Sequence, residues 1–243
     1  MKQKIKKLAD QIKILAEEIS KLTDQVEEVY SVKRYAVVLD AGHGGLDPSG
    51  AYTTAPSKMY KHKTFTFYEG VFNRIIVGKL KDVLIENDIA VFVVSDSYKD
   101  IPLKFRVEAA NRIHSKFEGR SIFLSIHGNA ASNPSAKGLE VFTSPGQTES
   151  DILAEFLVDA FEQHLPERNI RTDTRDKDKD KEARFYVLVN TAAPAVLSEN
   201  GFFTNPEEAA SMLSEEYQNR IVTAHLQAIK KYLKVKRPLY LRD

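Results

Sequence analysis

The sequence predicts an α/β protein with a mixed, mostly parallel β-sheet covered by helices on both faces and preceded by an N-terminal coiled-coil helix. Short apolar runs rich in β-branched residues alternate with longer segments of helical periodicity. This alternation is typical of parallel strands buried on both faces and joined by helices. A separate heptad pattern occupies residues 1–30. The 243-residue chain therefore divides into a coiled-coil segment, one domain over residues 34–234 and a tail at 235–243.

The first segment has apolar residues that recur at alternating intervals of three and four. Ile or Val occupies the a positions and Leu or Val the d positions, which favours a parallel two-stranded coiled coil. A homodimer formed through residues 1–30 is therefore expected. The alternative is a single amphipathic helix packed on its own domain. The apolar seam consists of Ile5, Leu8, Ile12, Leu15, Ile19, Leu22, Val26 and Val29.

After residue 34, the two periodicities define the remaining elements in order, and two polar segments are predicted to be loops. The predicted strands are Tyr35–Leu39, Ile89–Val94, Ile122–Ile126, Leu139–Phe142 and Ala195–Leu197. The predicted helices are Glu69–Asn87, Leu103–Phe117, Ser150–Leu165 and Glu207–Leu233. The predicted loops are 46–67, which is rich in small polar residues, and 171–184, whose alternating charges indicate a solvated face.

Composition excludes several classes of function. The chain has no cysteine, so disulfides, thiolate metal sites and cysteine nucleophiles are ruled out, and histidine and carboxylate must hold any metal. Its net charge of +1 argues against a general nucleic-acid binder. No apolar run approaches the ~18 residues that span a bilayer, so membrane insertion is not expected. The charged N-terminus also does not resemble a secretory signal.

Ionisable residues follow three of the predicted strands at the point where each strand ends. His43, His127 and Glu199 lie at these ends beside glycines, and Glu69 begins the first long helix. Sites in α/β sheets form outside the carboxyl ends of strands. Two histidines and a carboxylate are a common ligand set for catalytic zinc, and a second carboxylate can serve as the proton carrier. Because these residues are far apart in sequence, their spacing alone is a weak signal.

Five motifs carry a family resemblance. They are LDAGHGG at 39–45, YEG at 68–70, FRVEAAN at 105–111, SIHGNA at 125–130 and APAVLSENGFFTNPEEA at 193–209. In this order they resemble the zinc-dependent N-acetylmuramoyl-L-alanine amidases of the Amidase_3 type, over residues 34–234. Polar residues beside Glu199 and the long loop after His43 are similar to phage endolysins and Bacteroides-type members. Many bacterial members carry a blocking helix between the second histidine and the catalytic glutamate. Here the interval between His127 and Glu199 holds only a short helix and the charged loop, so no built-in occlusion is expected.

The resemblance implies hydrolysis of the amide between the lactyl group of N-acetylmuramic acid and L-alanine of the peptidoglycan stem peptide. One Zn²⁺ would activate water, and a glutamate would move the proton to the leaving nitrogen. The implied zinc ligands are His43, Glu69 and His127, the implied catalytic residue is Glu199, and the possible supporting residues are Arg106, Asn111 and Asp40.

Two other functions stay open on the residues alone. A different zinc amidohydrolase or peptidase could use the same scaffold, and an inactive wall-binding module could retain the site. Peptidoglycan is the expected partner, so action on the cell wall, at the extracellular or periplasmic side, is expected. Without a signal peptide, the chain would accumulate in the cytoplasm before phage-type release, or its leader has been removed.

Overall fold

A computed structural model describes residues 11–13, 15–16, 35–173 and 178–236. Most of the predicted coiled coil and residues 237–243 of the predicted tail lie outside this description. The five described residues of the N-terminal segment are helical, and Ile12 and Leu15 are exposed. The coiled coil and the homodimer therefore stay predictions. No helix within the described ranges is both long and apolar enough to cross a membrane.

The described domain contains one large sheet, a small hairpin and helices on both sides of the large sheet. The strands are β1 (Ala36–Ala41), β2 (Met59–Lys61), β3 (Thr66–Tyr68), β4 (Ala90–Val93), β5 (Ser121–Asn129), β6 (Leu139–Thr143), β7 (Lys181–Glu182) and β8 (Ala195–Phe202). The helices are α1 (Glu69–Glu86), α2 (Leu103–Lys116), α3 (Glu149–His164), α4 (Tyr186–Val189), α5 (Pro206–Met212) and α6 (Glu215–Lys236).

The large sheet confirms the predicted mixed, mostly parallel topology. Its strands lie in the order β4-β1-β5-β8-β6-β7. The first four are parallel neighbours, whereas β6 is antiparallel to β8 and β7 is parallel to β6. The carboxyl ends of β1, β5 and β8 therefore meet at one edge, beside the start of β6.

Side chains alternate along each strand, so the two faces of the sheet contribute to two separate hydrophobic cores of different size. On one face, Val37, Leu39 and Leu124 belong to a large core that includes residues of α1, α3 and α6. On the other face, Val38 and Phe123 belong to a smaller core with residues of α2 and α4. Towards the carboxyl ends of the strands, polar side chains replace apolar ones on this second face.

Several predicted boundaries differ from the structure. The strands β5 and β8 run on to Asn129 and Phe202, so His127 and Glu199 lie within strands rather than after them. The predicted helix Glu207–Leu233 is wrong as one element. It is two helices, α5 and α6, because the chain turns at Ser214, whose hydroxyl accepts from the Tyr217 backbone N–H at 3.3 Å and begins a new helix.

Both predicted loops contain short strands that the composition did not indicate. Within 46–67, β2 and the first residues of β3 form an antiparallel hairpin, and Phe67 packs flat against Phe203 with ring centroids 5.3 Å apart. Within 171–184, Lys181 and Glu182 form β7 at the edge of the sheet, and Asp180 is buried. The described part of this second loop is therefore attached to the domain, not a wholly solvated face.

Candidate active site

Strand register brings the predicted site residues together on the second face, which carries the smaller core. His127 on β5 is the direct neighbour of Glu199 on β8, and Asp40 on β1 is the neighbour of Ser125 on β5. Ser125 and His127 share a face because they are two residues apart. The sheet therefore lines up one row of polar groups along its carboxyl edge.

His43 joins this row through a strained turn after β1. Its φ is +64°, in the left-handed region that non-glycine residues rarely adopt. Gly42 is required beside it, because a Cβ at that position would lie 2.2 Å from Cε1 of His127. The strain is compensated by bonds from α1 to the turn: Arg74 donates to the His43 carbonyl at 2.8 Å, and Asn73 donates to the Gly42 carbonyl at 3.0 Å.

His43, Glu69 and His127 converge into one compact cluster. Oε1 of Glu69 lies 3.2 Å from Nε2 of His43 and 3.1 Å from Nδ1 of His127. The two imidazole rings are nearly perpendicular, with centroids 5.0 Å apart. One ligand atom from each of the three residues lies within 4.8 Å of the others. This is the only group of three or more histidine and acidic residues in the described ranges that meets this spacing.

The donor atoms of this cluster fit a metal ion. Asp40 accepts from the hydroxyl of Ser125 at 2.9 Å, so that hydroxyl has no second proton, and Nε2 of His127 donates to it at 3.1 Å. Nδ1 of His127 then faces the carboxylate of Glu69 at 3.1 Å, a contact that a metal ion or a proton between the two atoms would make favourable. Nε2 of His43 is buried and makes no hydrogen bond with any described residue.

The charges in the cluster stabilise one another. Burial alone would raise the pKa of Glu69, but contacts with His127 and His43 lower that pKa to about 2. Burial would lower the pKa of His127, but the hydrogen bond to Glu69 and the charges of Glu199 and Glu69 raise it. The Glu69 carboxylate is therefore ionised, and the raised pKa of His127 favours positive charge beside it.

The pKa of Glu199 is shifted in the opposite direction from that of Glu69. The residue is partly exposed, but its Oε2 atom is buried and has no hydrogen-bond partner among the described residues. Burial raises the pKa of Glu199 to about 8, with Glu69 and Glu140 adding to the rise and His127 opposing it. A carboxyl group whose pKa lies near neutrality can both take up and release a proton at physiological pH.

A chain of buried hydrogen bonds holds His127, one member of the His–Glu–His cluster, in place. Arg106 is 1% exposed and donates to Oδ1 of Asp40 at 2.9 Å. Through Oδ2 of Asp40 and the hydroxyl of Ser125, this chain reaches Nε2 of His127. The arrangement fixes the tautomer and orientation of His127, which is the usual task of groups behind a metal ligand. The sequence pointed to Arg106 and Asp40, but not to Ser125, although its place two residues before His127 could have identified it.

One sequence interpretation is not supported by the structure. Asn111 was expected to support the site, but its side chain bonds the backbone of Asn190 and Ala192 at 3.0 and 2.8 Å, so it fastens α2 to the segment after α4. His62 lies in the predicted loop 46–67. It is half-buried and its Nε2 bonds the carbonyl of Phe203 at 2.9 Å, because the β2–β3 hairpin folds onto the end of β8.

The strand that carries Glu199 is anchored from its opposite face. His225 on α6 is fully buried and bonds the hydroxyl of Ser198 at 2.9 Å. Asn200 donates to the carbonyl of His127 at 3.0 Å. These contacts account for the polar residues on both sides of Glu199: they fix β8 to α6 and to β5.

Glu140 is a further buried carboxylate at the site that sequence reasoning missed. It is the register neighbour of Glu199 on β6 and is 6% exposed. Oε1 of Glu140 accepts from Nε of Arg171 at 2.6 Å and from Nζ of Lys181 at 2.7 Å, and Oε2 accepts from Asn129 at 2.8 Å. These contacts lower the pKa of Glu140 although burial would raise it.

The fold and this site define a class of protein. A mixed α/β sheet with a His–Glu–His cluster and a separate glutamate at its carboxyl edge has the groups that a hydrolase needs for moving protons and stabilising charge. The solved structure of an N-acetylmuramoyl-L-alanine amidase from Clostridium difficile 630 is similar to this chain, with a TM-score of 0.68 and 30% sequence identity. The match covers 84% of this chain and 99% of that one.

Sequence comparison gives the particular family. The Amidase_3 family, N-acetylmuramoyl-L-alanine amidase, matches residues 37–231. An endolysin of Bacillus phage SPP1 is 31% identical over 83% of this chain and 67% of its own length. The amidase AmiA of Escherichia coli K12 is 27% identical over 81% of this chain and 75% of its own length. The chain belongs to the Amidase_3 family and is an N-acetylmuramoyl-L-alanine amidase that acts on the cell wall.

Proposed function

We propose that this chain is a zinc-dependent amidase that hydrolyses the bond between the lactyl group of N-acetylmuramic acid and L-alanine of the stem peptide. Its substrate lies outside the cytoplasmic membrane, so we place its action at the periplasmic or extracellular side. The observation that carries the proposal is the convergence of His43, Glu69 and His127 next to Glu199. The family and the relatives supply the substrate class, and the donor geometry supports the metal.

Nε2 of His43, Oε1 of Glu69 and Nδ1 of His127 would hold the zinc ion. Bound Zn²⁺ would supply Lewis acidity, which makes water reactive at neutral pH and stabilises the negative charge that develops on the carbonyl oxygen. The chain's own contribution is to present these three atoms in one orientation. Glu69 is fixed at the first residue of α1, and His127 is fixed by Ser125.

Glu199 is the proton carrier in this proposal. Its carboxylate takes a proton from the attacking water while the carbon–oxygen bond forms. It then delivers that proton to the alanine nitrogen as the carbon–nitrogen bond breaks, so that the peptide leaves as a neutral amine. The unpartnered Oε2 and the pKa of about 8 support this role, because a carboxyl already tied into a salt bridge would be a poor proton donor.

Two variants test the proposal. Glu199→Gln should bind one zinc ion per chain with wild-type affinity but lose at least about a thousandfold in turnover, within the range seen for general acid–base groups. His43→Ala should lose zinc as well as turnover. The measurements are zinc content by mass spectrometry and the release of new L-alanine N-termini from purified peptidoglycan. Full activity in either variant, or product ends at a different bond, would contradict the proposal.

We also propose that residues 1–30 join two chains through the heptad seam. Two active sites on one particle would increase avidity for an insoluble polymer. Sedimentation of the full chain and of a chain beginning at Ser31 tests this. A dimer that becomes a monomer on truncation is expected, whereas a full-length monomer would refute the coiled coil.

A further inference from the structure

We propose that Arg171 and Lys181 form a subsite for a stem-peptide carboxylate, that of the residue following L-alanine, and that Glu140 holds these two cations in place. This inference rests on the proposed amidase function. It concerns the part of the substrate beyond the scissile bond, and it assigns a role to these two described cations.

The first argument is position. Glu140 and Glu199 are direct register neighbours on antiparallel strands, so their Cβ atoms are about 5 Å apart on one face of the sheet. Both cations bond to the carboxylate of Glu140, at 2.6 and 2.7 Å. Across the sheet, Glu199 lies between the His–Glu–His cluster on one side and Glu140 on the other. The two cations, which bond Glu140, therefore lie on the side of Glu199 opposite the cluster. A substrate whose amide lies over Glu199 has one end beside them.

The second argument is that the cations are held in place while remaining accessible. The guanidinium of Arg171 lies 5.2 Å above the ring of Phe202, and the ammonium of Lys181 lies 5.8 Å from the ring of Phe142. The Arg171 side chain is 40% exposed and the Lys181 side chain 24% exposed. Anchoring lowers the entropic cost of binding, because the side chains need not be ordered by the ligand.

The third argument is charge. Glu140, Arg171 and Lys181 form a trio with one negative and two positive charges, so its net charge is +1. Both cations share Oε1, since Oε2 of Glu140 is bonded to Asn129. A single buried carboxylate needs only one cation to balance its charge. The second cation leaves the trio able to attract an anionic group of the substrate.

The chemistry of the substrate decides which end carries that anion. In peptidoglycan, the carboxyl of the lactyl group is consumed in the scissile amide, and the remaining groups of the glycan are neutral hydroxyls and acetamides. The stem peptide supplies the carboxylates, and the nearest is on the residue after alanine. Arg171 offers a planar donor group that suits a carboxylate, and Lys181 adds a point charge.

The test compares two muramoyl-peptide fragments that differ only at this residue, one with a free carboxylate and one with a carboxamide. The wild-type enzyme should prefer the carboxylate by about tenfold in kcat/KM, mainly through KM. Lys181→Gln and Arg171→Gln should each reduce that preference, and the double variant should abolish it. Lys179→Gln is the matched control, because Lys179 pairs with Glu162 and Asp159 on α3 and should keep the full preference.

Equal wild-type activity on both fragments, or variants that lose activity on both equally, would overturn the subsite and leave the amidase assignment intact. The alternative in that case is that the trio only fastens β7 to β6. A second measurement separates the two proposals: NMR titration with the free dipeptides, one with and one without this carboxylate. A wild-type chain that cleaves neither fragment contradicts the amidase. Absence of a binding preference that depends on Lys181 contradicts the subsite.

Discussion

The buried pair Arg106–Asp40 is the contact whose loss should be most damaging to the fold beneath the site. Arg106→Met replaces the guanidinium with an apolar chain of similar length. It leaves the Asp40 carboxylate, itself 1% exposed, with Ser125 as its remaining side-chain partner. It also removes donors from the carbonyls of Ala41 and Ile101.

The expected loss of stability follows from this burial. Removing one partner of a buried ion pair costs about 3–5 kcal/mol because the other charge is left uncompensated. Arg120 provides a matched comparison, since its pair with Glu118 is at the surface and Arg120 is 36% exposed. Arg120→Met should cost at most about 1 kcal/mol.

The assay is urea unfolding of the metal-free chain, so that zinc affinity does not enter the free energy. A double variant, Arg106→Met with Asp40→Asn, should be at least about 1 kcal/mol more stable than the sum of the single losses predicts, because the neutral amide no longer needs a cation. The reasoning would be refuted if Arg106→Met cost no more than Arg120→Met, or if the two single losses simply added.

Three further predictions concern the site and its surroundings. Ser125→Ala should weaken zinc binding about 10- to 100-fold, measured by competition with a chelator, because it frees the His127 ring to rotate; unchanged affinity would contradict this. Gly42→Ala should abolish zinc binding because its Cβ would lie 2.2 Å from Cε1 of His127, whereas Gly78→Ala, with nothing within 4 Å, should leave it intact. Burial lowers the pKa of His225 to about 4. As the pH falls below ~6.5, the unfolded chain therefore takes up a proton at this residue before the folded chain does. Protonation of His225 should reduce the free energy of unfolding by about 3 kcal/mol by pH ~4. His225→Gln should remove that part of the pH dependence in urea titrations; an unchanged slope would contradict it.

The sequence could predict those parts of the structure that depend on local pattern. Strands rich in β-branched residues and helices of regular periodicity were placed nearly correctly, since each is set by side chains within a few residues. The convergence of His43, His127 and Glu199 could be expected because parallel strands bring their carboxyl ends to one edge. Glu69 could be named as a candidate at the start of the first long helix, and the motif resemblance then implied its role as a zinc ligand.

Contacts set by register and by charge pairing could not be predicted in the same way. Glu140 was included in an apolar strand, and nothing in its neighbourhood shows that β6 would run antiparallel beside Glu199. Lys181 lies in a segment whose alternating charges are typical of a solvated face, yet it bonds a buried carboxylate 41 residues away. Asn111 shows the converse, because membership in a motif did not place it against the cluster.

The zinc site is tested most directly by anomalous X-ray scattering at the zinc edge from crystals of the Glu199→Gln chain. The proposal predicts one strong peak in contact with Nε2 of His43, Oε1 of Glu69 and Nδ1 of His127, with the substituted side chain at position 199 beside it but not bound to it. A peak at any other group of residues, or no peak in crystals grown with zinc, would contradict the central claim.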